Sequence, residues 1–166
     1  MTEKLFYTDA YMRSFDARIM ECRPGKKGYE IILDRTAFYP EGGGQPGDRG
    51  VLKAGDKAVR IFDTHEKEGV ILHYSEEALE PGNAVTGEID WQYRFDLMQN
   101  HSGEHIVSGL INRRFGYNNV GFHMGADMLT IDLDGEFTRE DMRELEKCAN
   151  EIVWANEKVQ IVSYSE

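Results

Sequence analysis

The stretch Val59-Arg60-Ile61-Phe62-Asp63-Thr64-His65, followed after Glu68-Gly69 by Val70-Ile71-Leu72-His73-Tyr74, decides the fold class of the N-terminal half. Both runs are short and rich in β-branched and aromatic residues. The glycine between them is a turn signal, so the pair predicts two consecutive strands. The same pattern recurs outward in both directions. Phe15–Arg23, Tyr29–Leu33, Arg49–Lys53 and Ala84–Ile89 are further strand candidates. Pro24-Gly25, Gly42-Gly43-Gly44, Gly55-Asp56 and Pro81-Gly82 supply the turns between them. Six short strands at this spacing predict a small barrel or curled sheet. His65 and His73 are expected on strand surfaces and are assigned no role.

The period changes near Trp91. From Arg94 to Arg114, residues Leu97, Met98, His101, His105, Ile106, Gly109 and Leu110 share roughly one helical face, and Gly116 suits a helix end. Two strands are expected at Val120–Met124 and Met128–Leu133. Thr138, with Asp141 three residues on, predicts the cap of a second helix running to about Asn156, and Val159–Tyr164 reads as a last strand. The expected class is α+β, with a β-barrel over 1–90 and an α+β domain over 91–166.

Composition narrows the function. The 166 residues carry 19 Lys and Arg against 30 Asp and Glu, a net charge of −11, which opposes nonspecific coating of nucleic acid or of an anionic membrane. Local basic clusters remain at Arg113-Arg114 and at Arg23 with Lys26-Lys27, and RNA phosphates would meet them there. The acidic helix over 140–151 is expected as a solvated face turned away from RNA. Only two cysteines occur, Cys22 and Cys148, so no disulfide framework is expected. The N-terminus has no apolar signal core, and no apolar run approaches the ~18 residues of a membrane span. The expected location is the cytoplasm.

The run His101-Ser102-Gly103-Glu104-His105 carries the sharpest chemistry. Four residues advance a helix by about 400°, which leaves the imidazoles about 40° apart on one face. Neutral imidazoles so placed can grip one zinc ion, which could polarise a carbonyl or acidify a water. The plain alternative is a pair of capping or solvated histidines. A metalloprotease is disfavoured because Ser102 stands where that motif needs its glutamate. Ser102 and Gly103 are poor helix formers, so helix stability is given up at this place.

The second signal runs from Asp34 to Gly50 and contains Gly42-Gly43-Gly44-Gln45. Consecutive glycines let a loop approach a ligand closely. The clustering of Arg35, Gln45, Asp48 and Arg49 reads equally as a recognition loop or as a long hairpin turn. It lacks the ending of a phosphate-binding loop.

Taken together, Thr36-Ala37-Phe38-Tyr39-Pro40-Glu41-Gly42-Gly43-Gly44-Gln45-Pro46-Gly47-Asp48 and the later HSGEH resemble the editing region of alanyl-tRNA synthetase and, more closely, the freestanding alanyl-tRNA editing proteins. The likeness extends through Gly121-Phe122-His123 and Thr130-Ile131-Asp132. It implies a translation-factor-like barrel followed by an editing domain. It implies hydrolysis of serine or glycine wrongly esterified to alanine tRNA, with the tRNA acceptor end as partner. Zinc is held in that family by HxxxH and a later CxxxH. His101 and His105 match the first pair. No CxxxH occurs here, since Cys148 is followed at that spacing by Ile152 and Cys22 by Lys26. The expectation is therefore an editing domain incomplete at its C-terminus, with zinc absent or partly held.

The resemblance implies substrate or tRNA contacts at Gly42, Gly43, Gly44 and Gln45, with Arg35 and Asp48 beside them. Thr36 could offer its hydroxyl to a serine substrate, or be a plain strand residue. His123 could face the same cleft, or be a partly exposed strand histidine, and Asn119 to His123 are candidates for contacting the aminoacyl group. Arg113 and Arg114 are candidate phosphate contacts. No general base stands out; Gln99 and Glu104 are the candidates. The alternative function is a non-catalytic tRNA- or protein-binding module. An uncovered sheet edge would also invite a homodimer.

Overall fold

A computed structural model describes residues 1–125, 128–160 and 162. Its chain order is β1 (Glu3–Lys4), a 3-10 turn (Leu5–Tyr7), β2 (Ser14–Gly25), β3 (Gly28–Leu33), β4 (Arg35–Thr36), β5 (Gly50–Ala54), β6 (Lys57–Lys67), β7 (Val70–Ser75), β8 (Ala84–Ile89), α1 (Trp91–Phe115), β9 (Asn119–Met124), β10 (Leu129–Leu133) and α2 (Arg139–Ala155). The mixture is α+β. Two compact units are separable, Met1–Gln99 and Asn100–Glu166, with the division falling inside α1.

Six of the strands close a barrel in the order β2-β3-β7-β6-β5-β8. These are the six expected from the sequence. Alternation builds the interior: Phe15 and Ile19 on β2, Ile31 and Leu33 on β3, Val59 and Ile61 on β6, and Val85 and Ile89 on β8 all lie in one buried cluster. Closure depends on β2 and β6, the two long strands. Residues 14–18 of β2 pair with β8, and residues 19–25 pair with β3 after a register shift between Ile19 and Glu21. On β6, residues 57–61 pair with β5 and residues 61–67 with β7, with a shift between Ile61 and Asp63. Such bulges bend a strand so that it can serve two neighbours around a corner. Gly87 on β8 is needed for packing, because a Cβ there would sit 2.4 Å from the Phe15 ring.

Three expectations are corrected. Pro24-Gly25 belongs to β2, opposite Tyr29 and Gly28, and the turn is Lys26-Lys27. His73 is not on a strand surface: it is fully buried. Of the expected last strand Val159–Tyr164, residues Val159, Gln160 and Val162 are in no strand, while Ile161, Ser163 and Tyr164 lie outside the described residues. The parallel pair β1–β4 was too short to be seen as a pattern.

In the second unit β9 and β10 form an antiparallel ribbon, with Ile131 opposite Phe122 and Thr130 opposite His123. α2 starts as expected. The Thr138 hydroxyl accepts from the Asp141 N–H, and the Asp141 carboxylate accepts from the Thr138 N–H, so aspartate closes the capping box. No helix among the described residues is long and apolar enough to cross a membrane.

Candidate metal centre and glycine-rich loop

α1 carries the histidine pair. The residues buried along it are Arg94, Leu97, Glu104 and Ile111, a stripe of one helical face. His101 is half-buried beside that stripe and His105 is exposed. Their rings lie nearly parallel, 4.9 Å between centroids and 17° between planes. Phe122 of β9 packs against His101, 5.4 Å between ring centroids and 31° between planes. Strand alternation sends His123, the next residue, to the opposite face of the ribbon, where it is exposed.

Glu104 organises this group. It is 4% exposed, and its Oε1 accepts from Asn119 Nδ2 at 2.7 Å and from the Ser108 hydroxyl. Its Oε2 lies 3.3 Å from His105 Nδ1. Asn119 in turn accepts from the Gly121 N–H, which ties the start of the ribbon to α1. One donor atom from each of His101, Glu104 and His105 falls within 4.8 Å of the others. Imidazole nitrogens and a carboxylate oxygen are donors that zinc takes, and its tetrahedral geometry would bring two such nitrogens to about 3.4 Å, so the set suits zinc in donor type and proximity. Burial, and then the neighbouring His105, hold the His101 pKa below its ordinary value, against the pull of Glu104. A lowered pKa keeps a lone pair free for ligation at neutral pH. Among the described residues His123 is not in this cluster. Gln99 is exposed.

Glu104→Ala should cost about 1–3 kcal/mol in urea unfolding, because Asn119 and Ser108 lose their acceptor. Glu104→Gln keeps an oxygen there and should cost less. Equal losses for the two would show that hydrogen bonding is not what Glu104 contributes.

The glycine-rich segment is a braced hairpin with a small exposed tip. At its base the Tyr39 N–H donates to Asp48 Oδ2 at 2.7 Å, and the Asp48 N–H donates to the Tyr39 carbonyl at 2.8 Å. Glu41 N–H donates to the Thr64 carbonyl, and the Thr64 hydroxyl to the Asp48 carbonyl. From α1, Arg94 Nη1 reaches Asp48 Oδ2 at 2.6 Å and the Ala37 carbonyl at 3.1 Å. At the tip, Gly42 and Gln45 exchange two backbone hydrogen bonds around Gly43 and Gly44, whose φ values are +58° and +81°. Two consecutive positive φ values are the signature of a type I′ turn, which glycine adopts without strain.

The sequence-derived candidates thus separate. Gly42, Gly43 and Gly44 are exposed at the tip, and Arg35 is exposed on β4 near Glu3 and Asp34. Gln45 is 6% exposed, and Asp48 and Thr36 are fully buried. Thr36 and Asp48 are committed to internal bonds, so they brace the loop from inside and offer nothing to a ligand outside. The Thr36 hydroxyl accepts from the Phe38 N–H and bonds His73 Nε2 at 2.8 Å. On the second unit Arg113 is exposed, while both Arg114 terminal nitrogens face Glu144 of α2. Sequence reasoning missed Arg94, which nothing in the sequence marks as buried. Asn119 and Phe122 fall within the Asn119–His123 stretch that the sequence offered for contacting the aminoacyl group; here Asn119 donates to Glu104 and Phe122 packs against His101.

Known proteins match the chain along most of its length. An alanyl-tRNA editing protein, AlaX-L, of Pyrococcus horikoshii is 38% identical over 167 residues, covering 99% of this chain and 41% of that protein. The alanine–tRNA ligase of Halobacterium salinarum is 40% identical over 168 residues, covering 96% of this chain and 18% of the ligase. That of Pyrobaculum aerophilum is 40% identical over 166 residues, with 96% and 18% covered. The chain therefore spans less than half the length of these relatives. The model of the tRNA synthetases class II (A) family matches residues 5–93, which take in the whole barrel, the glycine-rich loop and the start of α1. With more than half of the chain matched, this protein belongs to the class II (A) tRNA synthetase family.

Proposed function

We propose that the chain is the editing part of an aminoacyl-tRNA deacylase that clears serine or glycine from alanine tRNA. The observation that carries this reading is the His101–Glu104–His105 group, braced by Asn119 and Ser108, in a chain that aligns along nearly its whole length with an alanyl-tRNA editing protein. In this proposal the barrel is of the translation-factor type and is followed by an editing-type domain, the protein works in the cytoplasm, and the acceptor end of the tRNA is the ligand.

His101 and His105 would hold zinc, with Glu104 setting the orientation of His105. Zinc bound there supplies Lewis-acid polarisation of the ester carbonyl or of a water. The lowered pKa of His101 favours the neutral ring that a metal ion would need. Phe122 packs against the His101 ring and would help to hold it in place. The exposed glycine tip, with Arg35 nearby in sequence, would meet the RNA. The outer edges of the β9–β10 ribbon would be the place for a homodimer contact.

Incubating Ser-tRNA(Ala) with wild type and with His101→Ala/His105→Ala tests the reading. The double variant should lose about a hundredfold or more of the hydrolysis rate, the scale of a lost electrophilic contact in a transition state, together with its bound zinc. Equal rates would reject the metal role. Binding of the tRNA without hydrolysis by wild type would leave a recognition module in place of an enzyme.

A further inference from the structure

The outer wall of the barrel carries a cleft of about 380 Å³ that the metal centre does not use. Its lining includes Arg23, Lys26, Lys27 and Lys67 together with His65 and Tyr74. Two acids also line it, and both are already engaged. Glu30 accepts from Arg23 Nε at 2.9 Å, and Asp63 is 2.8 Å from His65 Nε2 and also accepts from the Thr64 N–H. Lys26, Lys27 and Lys67 have no acidic partner at ion-pair distance among the described residues. The cleft therefore presents net unneutralised positive charge on a chain whose overall charge is −11.

The strand register gives the length of this charge. Lys26 and Lys27 form the β2–β3 turn, next to the Tyr29–Ser75 pair, whereas Lys67 lies opposite Val70. Ser75 and Val70 are five residues apart on β7, or about 17 Å at ~3.4 Å per residue. One phosphate cannot touch both ends. A chain of phosphates can. Between the ends stand His65 and Tyr74, edge to face at 5.2 Å, which offer ring surface in the middle of the basic track. Cations tracking a backbone, with aromatic rings between them, are what single-stranded nucleic-acid grooves use.

We infer that this cleft on the barrel docks a segment of the RNA backbone, a second holding point for the tRNA apart from the metal centre. The inference rests on the tRNA reading above and adds the surface to it. Each phosphate met by a lysine releases counterions, so affinity falls with salt at a slope of about 0.7–0.9 per contact.

The test compares the binding of deacylated tRNA(Ala) over a series of salt concentrations for three proteins. Lys26→Gln/Lys27→Gln/Lys67→Gln should lower the log–log salt slope by about two units and weaken binding at low salt. Arg139→Gln/Arg143→Gln/Lys147→Gln removes the same charge from α2 and should leave the slope as in wild type. An unchanged slope in the lysine variant overturns the docking site, and so does an equal drop in the α2 variant, which would mark a net-charge effect. A separate Ser-tRNA(Ala) hydrolysis assay on wild type keeps the two ideas apart. Hydrolysis with an unaltered slope removes the docking site alone, whereas a lowered slope without hydrolysis removes the deacylase alone.

Discussion

Arg94→Met should destabilise the protein by about 3–5 kcal/mol at pH 7.5, the range for breaking one partner of a buried ion pair. Arg94 is 3% exposed and Asp48 is fully buried, with Nη1 and Oδ2 2.6 Å apart. Methionine matches much of the stem but leaves the carboxylate with the Tyr39 N–H alone. Asp48 Oδ1 already lacks a hydrogen-bond partner. The Ala37 and Ala10 carbonyls lose a donor as well. Against a typical total of 5–15 kcal/mol this is a large share. Burial pushes Asp48 from 3.8 up to about 6, with Arg94 as the main group pulling it back. Removing Arg94 must raise it further. An acid with a raised folded pKa takes up its proton in the native state first, so acid relieves the penalty. The deficit of Arg94→Met should therefore shrink between pH 7.5 and pH 5 in urea unfolding. A deficit below 1 kcal/mol at pH 7.5, or one that grows in acid, would contradict the assignment.

His73 should make the barrel sensitive to acid in the opposite sense. Burial lowers its pKa from 6.5 to about 4. Its Nδ1 faces the Ile31 carbonyl at 2.9 Å, which can only accept, so Nδ1 carries the proton. Nε2 then accepts from the Thr36 hydroxyl, whose oxygen accepts from the Phe38 N–H. The ring is neutral and fully bonded in the native state. Between pH 6.5 and 4 the unfolded chain binds a proton that the native one refuses, so stability is present above 6.5 and is lost towards 4. A pKa of about 4 in place of 6.5 corresponds to about 3 kcal/mol. Asp48 opposes this over nearly the same range, so the wild-type curve alone does not isolate either group. The difference between wild type and His73→Gln does. Glutamine offers one donor group and one acceptor and does not titrate. Wild type should lose about 3 kcal/mol more than the variant on going from pH 6.5 to pH 4, and parallel curves would refute the linkage.

The elements that the sequence announced are those whose pattern is local. The six barrel strands follow from alternation and turn residues, with ends within a few positions, and Thr138 with Asp141 marks the start of α2. What escaped depends on partners far along the chain. His73 looks like a surface residue until Thr36 and Ile31 are brought to it from 37 and 42 positions away. Arg94 and Glu104 are charged, so a search for an apolar stripe passes over them. The stripe on α1 is in fact turned towards them, which leaves His105 exposed. Thr36 and Asp48 showed the converse difficulty. Polar residues beside a glycine run look like ligand contacts, whereas here they are the internal frame of the loop.

Because β2 and β6 each change neighbour partway along, they act as shared staves of a hoop. A cut or an insertion within either would loosen two seams together, while one placed at the Gly55-Asp56 or Glu68-Gly69 tips would loosen none. New termini or grafted segments therefore belong at those tips, where backbone pairing has already ended.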